Sequence, residues 1–553
     1  MEIHEYGRMC RSCDEGCGQI NGGVKICFFR GVTLMPKNYA EVVAKGTGVF
    51  FAATILSTII GYLLRIYLAR NLSVAEYGLF YAVISFISSI VVFRNIGFSA
   101  ALAKFIPEFA VKKRFDSIRH LIYLIVFLQS VLTLLIALPL FLLSDSLAMA
   151  IFENKHASLV LKIFSIEMIF TTFYAIFNAS LQGFQRIKQI SLLNVCFISV
   201  VLLITLIFSA FGLNASRVAL AYLGSSIVVA ALSFLFLVRT FPEILKIELR
   251  IEKERIMRIL KFGAPVFIGT VSWSLLSNFD TVLLTVYRTV EEVAYYQIAI
   301  PVARVLMFFA SSLTVTLLPV ISELWSGGKF NYVSKSVTLL TKLSLIGIIP
   351  FSLVFVTFPE IVINLFFGSE YLPATLPLQL LSIGCIFLAI YSIISSVLTG
   401  IGKPAEATKV ILAAFLINLT LNLILIPNYG IFGSSLSALV SYVSCFILAL
   451  HVVKREMKSM NVEFTLPLIS LIKIIIAGML TTVLIFILKG VVIVHPWVEF
   501  SLILTASGVV YTLLILNSGC VTPEELRLLT RMNVLPTVLI KLAMRLIRKG
   551  GKD

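Results

Sequence analysis

Apolar stretches of roughly the 20 residues that a helix needs to cross a bilayer recur about fourteen times along this chain, and no other feature constrains the fold as strongly. They fall near 48–68, 78–103, 120–143, 158–181, 190–211, 215–238, 263–286, 293–318, 338–358, 375–397, 409–427, 430–450, 466–488 and 497–517. Only 13% of residues are charged, against about 25% in a soluble protein, so lipid is the main solvent. Runs this long specify helices and not a barrel, because each segment must satisfy its own backbone. The expectation is an all-α polytopic membrane protein.

Lysine and arginine placement sets the orientation. The link after the second span carries Lys104, Lys112, Lys113, Arg114 and Arg119, and the link after the sixth carries Arg239, Lys246, Arg250, Lys253, Arg255, Arg258 and Lys261. The opposite links together hold Arg70, Lys155, Arg217, Arg288 and Lys489. Both termini fall on the basic, cytoplasmic side, as an even number of spans requires. The net charge of +17 therefore reports topology and excludes a nucleic-acid partner.

The chain also repeats itself. Leu181-Gln182-Gly183 returns as Leu398-Thr399-Gly400 at an offset of 217, while Phe211-Gly212 returns as Tyr429-Gly430, and Arg70 and Tyr77 return as Arg288 and Tyr295, at 218. A constant offset spanning six helices predicts two parallel six-helix bundles. The domain plan is a cytoplasmic tail over 1–44, a bundle over 45–240, a linker over 241–262, a second bundle over 263–452, two further spans within 453–518, and a basic amphipathic tail over 519–553. That tail is expected to lie on the anionic cytoplasmic leaflet. Cys10, Cys13, Cys17 and Cys27 offer one knuckle-like pair where a zinc ribbon needs two, so they are weak metal candidates. The first 34 residues read more simply as a tail ahead of a start at Met35.

An ionisable side chain at mid-depth costs about 2.5–3.5 kcal/mol and needs a reason to be there. Lys162, Lys342 and Lys473 are near enough to span ends to snorkel, and Glu167 is expected to pair with Lys162. Arg94 and Arg304 are deeper, in the second and eighth spans, which the repeat makes equivalent. Arg65 and Asp280 occupy the equivalent first and seventh spans, where they could pair as an outer gate; Asp280 could instead hold a coupling proton or sodium ion. Asn178, Gln182, Asn278 and Gln297 supply polar groups able to meet hydroxyls, or to bond between helices.

Several short motifs carry a resemblance. They are Leu68-Ala69-Arg70 followed by Ser73-Val74-Ala75-Glu76-Tyr77-Gly78, Ala101 to Glu108, Lys261-Phe262-Gly263-Ala264-Pro265 with Asp280, and Leu318-Pro319-Val320-Ile321-Ser322-Glu323. The set resembles the polysaccharide transporter family, the flippases of lipid-linked O-antigen-type units, in the superfamily shared with multidrug extruders and lipid II flippases. The resemblance implies two six-helix bundles, two extra helices and a central cavity open to one side at a time. Arg94-Asn95-Ile96-Gly97 departs from it, sitting where an acidic or neutral residue is expected before the glycine.

The expected function is export of a lipid-linked oligosaccharide across the cytoplasmic membrane by alternating access, without enzymatic chemistry. Arg94 and Arg304 would bind the anionic headgroup, since guanidinium pairs bidentately with phosphate. No phosphate-cradling GxxxxGK[ST] loop is present, so direct ATP use is not expected. Expected partners are the lipid-linked sugar, membrane lipids, a polysaccharide polymerase and glycosyltransferases. A multidrug cation antiporter of the same superfamily is the alternative, and it would want an acidic cavity. A membrane glycosyltransferase or an assembly scaffold is a more remote one.

Overall fold

A computed structural model describes residues 28–29, 32–33, 39–246, 253–462, 468–489 and 496–520. The four N-terminal cysteines and the basic tail lie outside the described residues. Apart from a two-residue ribbon pairing β1 (Phe28–Phe29) with β2 (Val32–Thr33), the described residues are helical. The first half comprises α1 (Tyr39–Asn71), α2 (Val74–Val91), α3 (Phe98–Val111), α4 (Phe115–Leu142), α5 (Ser144–Phe152), α6 (His156–Gly183), α7 (Ile187–Ser209) and α8 (Ala215–Thr240). The second comprises α9 (Lys253–Tyr287), α10 (Val290–Arg304), α11 (Met307–Ser326), α12 (Phe330–Thr357), α13 (Pro359–Phe366), α14 (Thr375–Gly400) and α15 (Pro404–Lys458). Two more helices, α16 (Leu468–Lys489) and α17 (Pro496–Asn517), follow, with α16 packed on α12 and α17.

Ten of the described helices are long and apolar enough to cross a bilayer. The 55-residue α15 holds two crossings, because its backbone breaks at Gly430 (φ 53°, ψ −131°). With α10–α11, α16 and α17 these make up the expected set of about fourteen.

The duplication is written into the backbone. Left-handed residues recur in register: Lys113 with Gly328, Glu153 with Gly368, Gln185 with Gly402 and Gly212 with Gly430. At two pairs of matching turns the same bonds close the helices. Arg114 N donates to Phe109 O (2.9 Å) as Lys329 N does to Leu324 O (2.9 Å), and Arg186 N donates to Leu181 O (2.9 Å) as Lys403 N does to Leu398 O (2.8 Å). In all four turns the residue after the left-handed position is basic. It follows a helix C-terminus, where the dipole favours a cation.

The described chain forms two compact units that depart from contiguous bundles. The opening of α2, Ser73–Phe86, belongs with Ile268 onward, and the opening of α9, up to Phe267, belongs with the first unit. Close packing explains both. Gly78 lies so near the Val290 carbonyl that a Cβ would overlap it, Tyr77 meets Tyr371 edge-on at 5.7 Å, and Gln297 Nε2 donates to Ser85 Oγ at 3.1 Å. Likewise Gly263 seats against the Ile96 carbonyl and Gly97, and Phe262 against Phe105 and the Lys104 ammonium.

Repeated glycines sit at matched helix crossings within each half. A Cβ on Gly183 would lie 2.8 Å from Ile106 and 3.0 Å from the Leu102 carbonyl; one on Gly400 would lie 2.8 Å from Ile321 and 3.4 Å from the Leu318 carbonyl. Gly183→Val and Gly400→Val should therefore each cost about 1–3 kcal/mol by overpacking. Gly508→Ala, into open space, should cost nothing. Thermal unfolding of the detergent-solubilised protein checks this, and equal melting of all three variants would contradict the packing.

Candidate functional site

In the second unit a buried polar cluster forms where α9, α10 and α15 meet. Asp280 on α9 is 3% exposed. Its Oδ2 accepts from the Tyr296 hydroxyl at 2.8 Å and its Oδ1 from Asn422 Nδ2 at 2.6 Å. The same Asn422 Nδ2 also donates to Asn418 Oδ1 at 2.9 Å. Asn418 and Asn422 stand one helical turn apart on an apolar stretch of α15, so both face α9. Among the described residues nothing hydrogen-bonds the buried Asn422 Oδ1.

Arg304 ends α10, three residues after Pro301, where a missing N–H loosens the ladder and the chain turns through Val305 and Leu306 into α11. It is half-buried. Its Nη2 donates to the Ser277 carbonyl at 3.2 Å, and it acts electrostatically on Asp280. Gln297, one residue from Tyr296, is buried and committed to Thr281 Oγ1 (2.8 Å) and Ser85 Oγ. Asn278 bonds the Ser274 carbonyl of its own helix at 2.9 Å.

Within the first unit, the helix begun by α2 is also interrupted, through a 3-10 turn at Val92–Arg94 and then Asn95 to Gly97 (φ 75°) before α3. The sequence departure at this point has a structural use: Asn95 Oδ1 accepts from Ser99 N (3.2 Å) and its Nδ2 bonds Ser99 Oγ (3.0 Å), capping the restarted helix. Arg94 is 7% exposed. Its Nη1 donates to the Met168 carbonyl (2.7 Å) and to Thr171 Oγ1 (3.2 Å) on α6. Asn178 is half-buried and its Oδ1 has no hydrogen-bond partner, whereas Gln182 is exposed. Arg65 is half-buried on α1.

Two sequence expectations need correction. Lys162 pairs with Asp145 of α5 at 2.9 Å and not with Glu167, which points to Arg94 electrostatically. Hydrogen bonding from Ser158, together with Lys162, holds the exposed Asp145 carboxyl below its ordinary range. Lys342 is buried at 6% exposure and does not snorkel. Tyr296, Asn418, Asn422 and Tyr442 were not among the expected site residues. The i, i+4 asparagines in an apolar span were the available signal.

Comparison with known proteins places this fold. The profile of the family described as polysaccharide biosynthesis protein matches residues 43–325, and that of the MatE family matches 265–424. The chain is 30% identical over 418 residues to the uncharacterized membrane protein MJ1068 of Methanocaldococcus jannaschii, covering 73% of this chain and 82% of that protein. It is 23% identical over 184 residues to the probable low-salt glycan biosynthesis flippase Agl15 of Haloferax volcanii, covering 33% and 39% of the two chains. The solved structure of the lipid II flippase MurJ in an inward closed conformation superposes with a TM-score of 0.69 at 19% identity, over 84% of this chain and 97% of that one. An inward-facing multidrug resistance MATE family transporter of the MOP superfamily superposes at 0.61 with 14% identity, over 73% and 95%.

The Asp280 cluster should behave as one unit. Tyr296→Phe removes a donor from a buried carboxylate and should cost about 1–3 kcal/mol. Asp280→Asn combined with Tyr296→Phe should differ from the sum of the single changes by more than about 0.5 kcal/mol. Unfolding midpoints of the four proteins measure this, and strict additivity would separate the two groups.

Proposed function

Because this chain belongs to the polysaccharide biosynthesis protein family, we propose that it carries a lipid-linked oligosaccharide across the cell membrane by alternating access, driven by a small cation at Asp280. The observation that carries the reading is the pairing, inside one unit, of a half-buried arginine at a helix interruption with a buried carboxylate it acts on through space. Arg304 suits the phosphate of an anionic headgroup. The lipid tail stays in the bilayer while the sugar-phosphate head avoids hydrocarbon, where unsatisfied polar groups are costly.

Coupling follows from charge. A proton or sodium ion on Asp280 cancels the negative charge beside Arg304 and strengthens the pull of Arg304 on an anion. By reciprocity the bound headgroup strengthens the cation's hold on Asp280. The carrier then moves with both ligands or with neither. The relatives named as flippases, and the lipid-II-flippase fold, support this substrate class. Glycosyltransferases on the cytoplasmic face would supply the substrate, and a polymerase on the other side would consume it. Arg94 joins the headgroup site only if its bonds to α6 are released during the cycle.

Proteoliposomes containing the full chain should move a fluorescent lipid-linked oligosaccharide between leaflets under an imposed proton or sodium gradient. Asp280→Asn and Arg304→Gln should each slow it at least tenfold. Cation export with no lipid movement would instead assign the multidrug reading. A second measurement fixes topology: reporter fusions after Lys246 and Lys458 should both read cytoplasmic, and a fusion at Glu153 external. The reverse pattern would invert the transport direction.

A further inference from the structure

In the first unit, α6 carries a row of uncharged polar side chains that the function above leaves unused. Thr171, Tyr174, Asn178 and Gln182 follow one another at i, i+3, i+7 and i+11, so they share one face of the helix over about 16 Å. A different face is buried, with Met168, Thr172, Ile176 and Ala179. Thr171, Tyr174 and Asn178 are half-buried and Gln182 is exposed. The row starts where Arg94 is held, since Thr171 Oγ1 accepts from Arg94 Nη1 at 3.2 Å. It ends one residue short of the helix terminus at Gly183.

A polar side chain in a membrane bundle usually bonds another helix. Two members of the row do so. Thr171 holds Arg94, and the Tyr174 hydroxyl donates to Asn194 Oδ1 of α7 at 2.9 Å. The second bond uses the phenolic proton and leaves the oxygen able to accept. The rest of the row is not consumed by packing. Among the described residues nothing hydrogen-bonds Asn178 Oδ1, and Gln182 is open to its surroundings.

Hydroxyl and amide groups facing hydrocarbon are costly, so water or a polar ligand lies over this face. Aromatic rings border it. Tyr174 stacks on Phe197 (centroids 6.5 Å apart, planes 8° apart), and Phe173 stacks on Phe177 at 6.1 Å. Water has no use for ring faces. A sugar carries hydroxyls at its rim and C–H groups on its faces, and amides beside aromatic rings meet both. Between Thr171 and Gln182 the helix has no acidic or basic residue, so the face suits a neutral ligand.

We propose that this face of α6 is a saccharide track. Tyr174, Asn178 and Gln182 meet the hydroxyls of a neutral sugar chain, and Asn194 is a positioning residue that fixes the Tyr174 phenol. On the flippase reading, on which this rests, recognition divides between a guanidinium for the phosphate and uncharged groups for the sugar. Hydroxyls are common to all sugars, so the track recognises a sugar chain and not its identity.

The test uses the full chain in lauryldimethylamine oxide, a detergent without a sugar head, titrated by native mass spectrometry with two probes. One is polyprenyl phosphate bearing a neutral hexose trisaccharide, and the other is the same polyprenyl phosphate without it. The wild type should bind the first roughly tenfold more tightly. Tyr174→Phe and Asn178→Leu should each reduce that preference about three- to tenfold with binding of the bare probe unchanged. Asn178→Gln, which keeps an amide, should recover most of it, whereas Arg304→Gln should weaken both probes alike. Equal binding of the two probes by the wild type, or a preference that survives both substitutions, would overturn the track and leave the flippase reading standing. Equal loss of both probes in Asn178→Leu would assign that residue to packing and overturn the track as well. Binding of neither probe by the wild type would overturn the flippase reading and the track with it.

Discussion

Everything in this molecule depends on the absence of water from the bilayer core. Backbone groups there must be satisfied within the chain, so any break in a helix has to be repaired by side chains. Asn95 repairs the interruption between α2 and α3 by bonding Ser99, and the chain then resumes as helix. Arg288 performs the same service at the Gly430 break of α15, donating to the Ile426 (3.1 Å) and Pro427 (2.9 Å) carbonyls, while Glu292 accepts from Ile431 N (3.2 Å). Arg217 does so at the matching turn of the first unit, bonding the Phe211 and Gly212 carbonyls. Exposed loops have water for these tasks; here charged side chains are spent on backbone.

Duplication built the scaffold, but not the sites. Turn residues recur at near-constant offsets because each must reverse the chain at the same depth. The polar groups do not recur. Offsets of 217–218 set Asp280 against Tyr62 or Leu63, Asn418 against Val200 or Val201, and Asn422 against Ile204 or Thr205. In the other direction, Glu167 corresponds to Gly384 or Cys385.

The spans and the repeat were legible because each rests on a local cause: apolar length and turn residues. Arg304 and Asp280 were legible as embedded charges, since their cost is a property of composition and depth. Their partners were not. Lys162 was read against Glu167 on its own helix, yet the short α5 brings Asp145 within 2.9 Å, and nothing local announces that return. Lys342 is near a span end by count but faces the packed interior, and counting along a helix does not give its face. Arg94 showed its charge in the sequence, but its attachment to the Met168 carbonyl depends on where α3 lies on α6. The i, i+4 pair Asn418 and Asn422 was visible as a stripe, and its meaning required the carboxylate opposite.

Through-space pairing is also better suited to transport than direct contact. At an effective dielectric near 20, two unit charges about 4 Å apart interact by about 4 kcal/mol, and the energy falls off inversely with distance. That is enough for a cation at Asp280 to alter the attraction of Arg304 for an anion within the usual range of coupling energies. A contact ion pair would hold each group so firmly that neither ligand could displace the other within a transport cycle. Arg304 bonds the Ser277 carbonyl, and Asp280 bonds Tyr296 and Asn422, so each is fixed in place by neutral partners. Neutral anchoring of opposite charges at a short remove lets each respond to a ligand on the other.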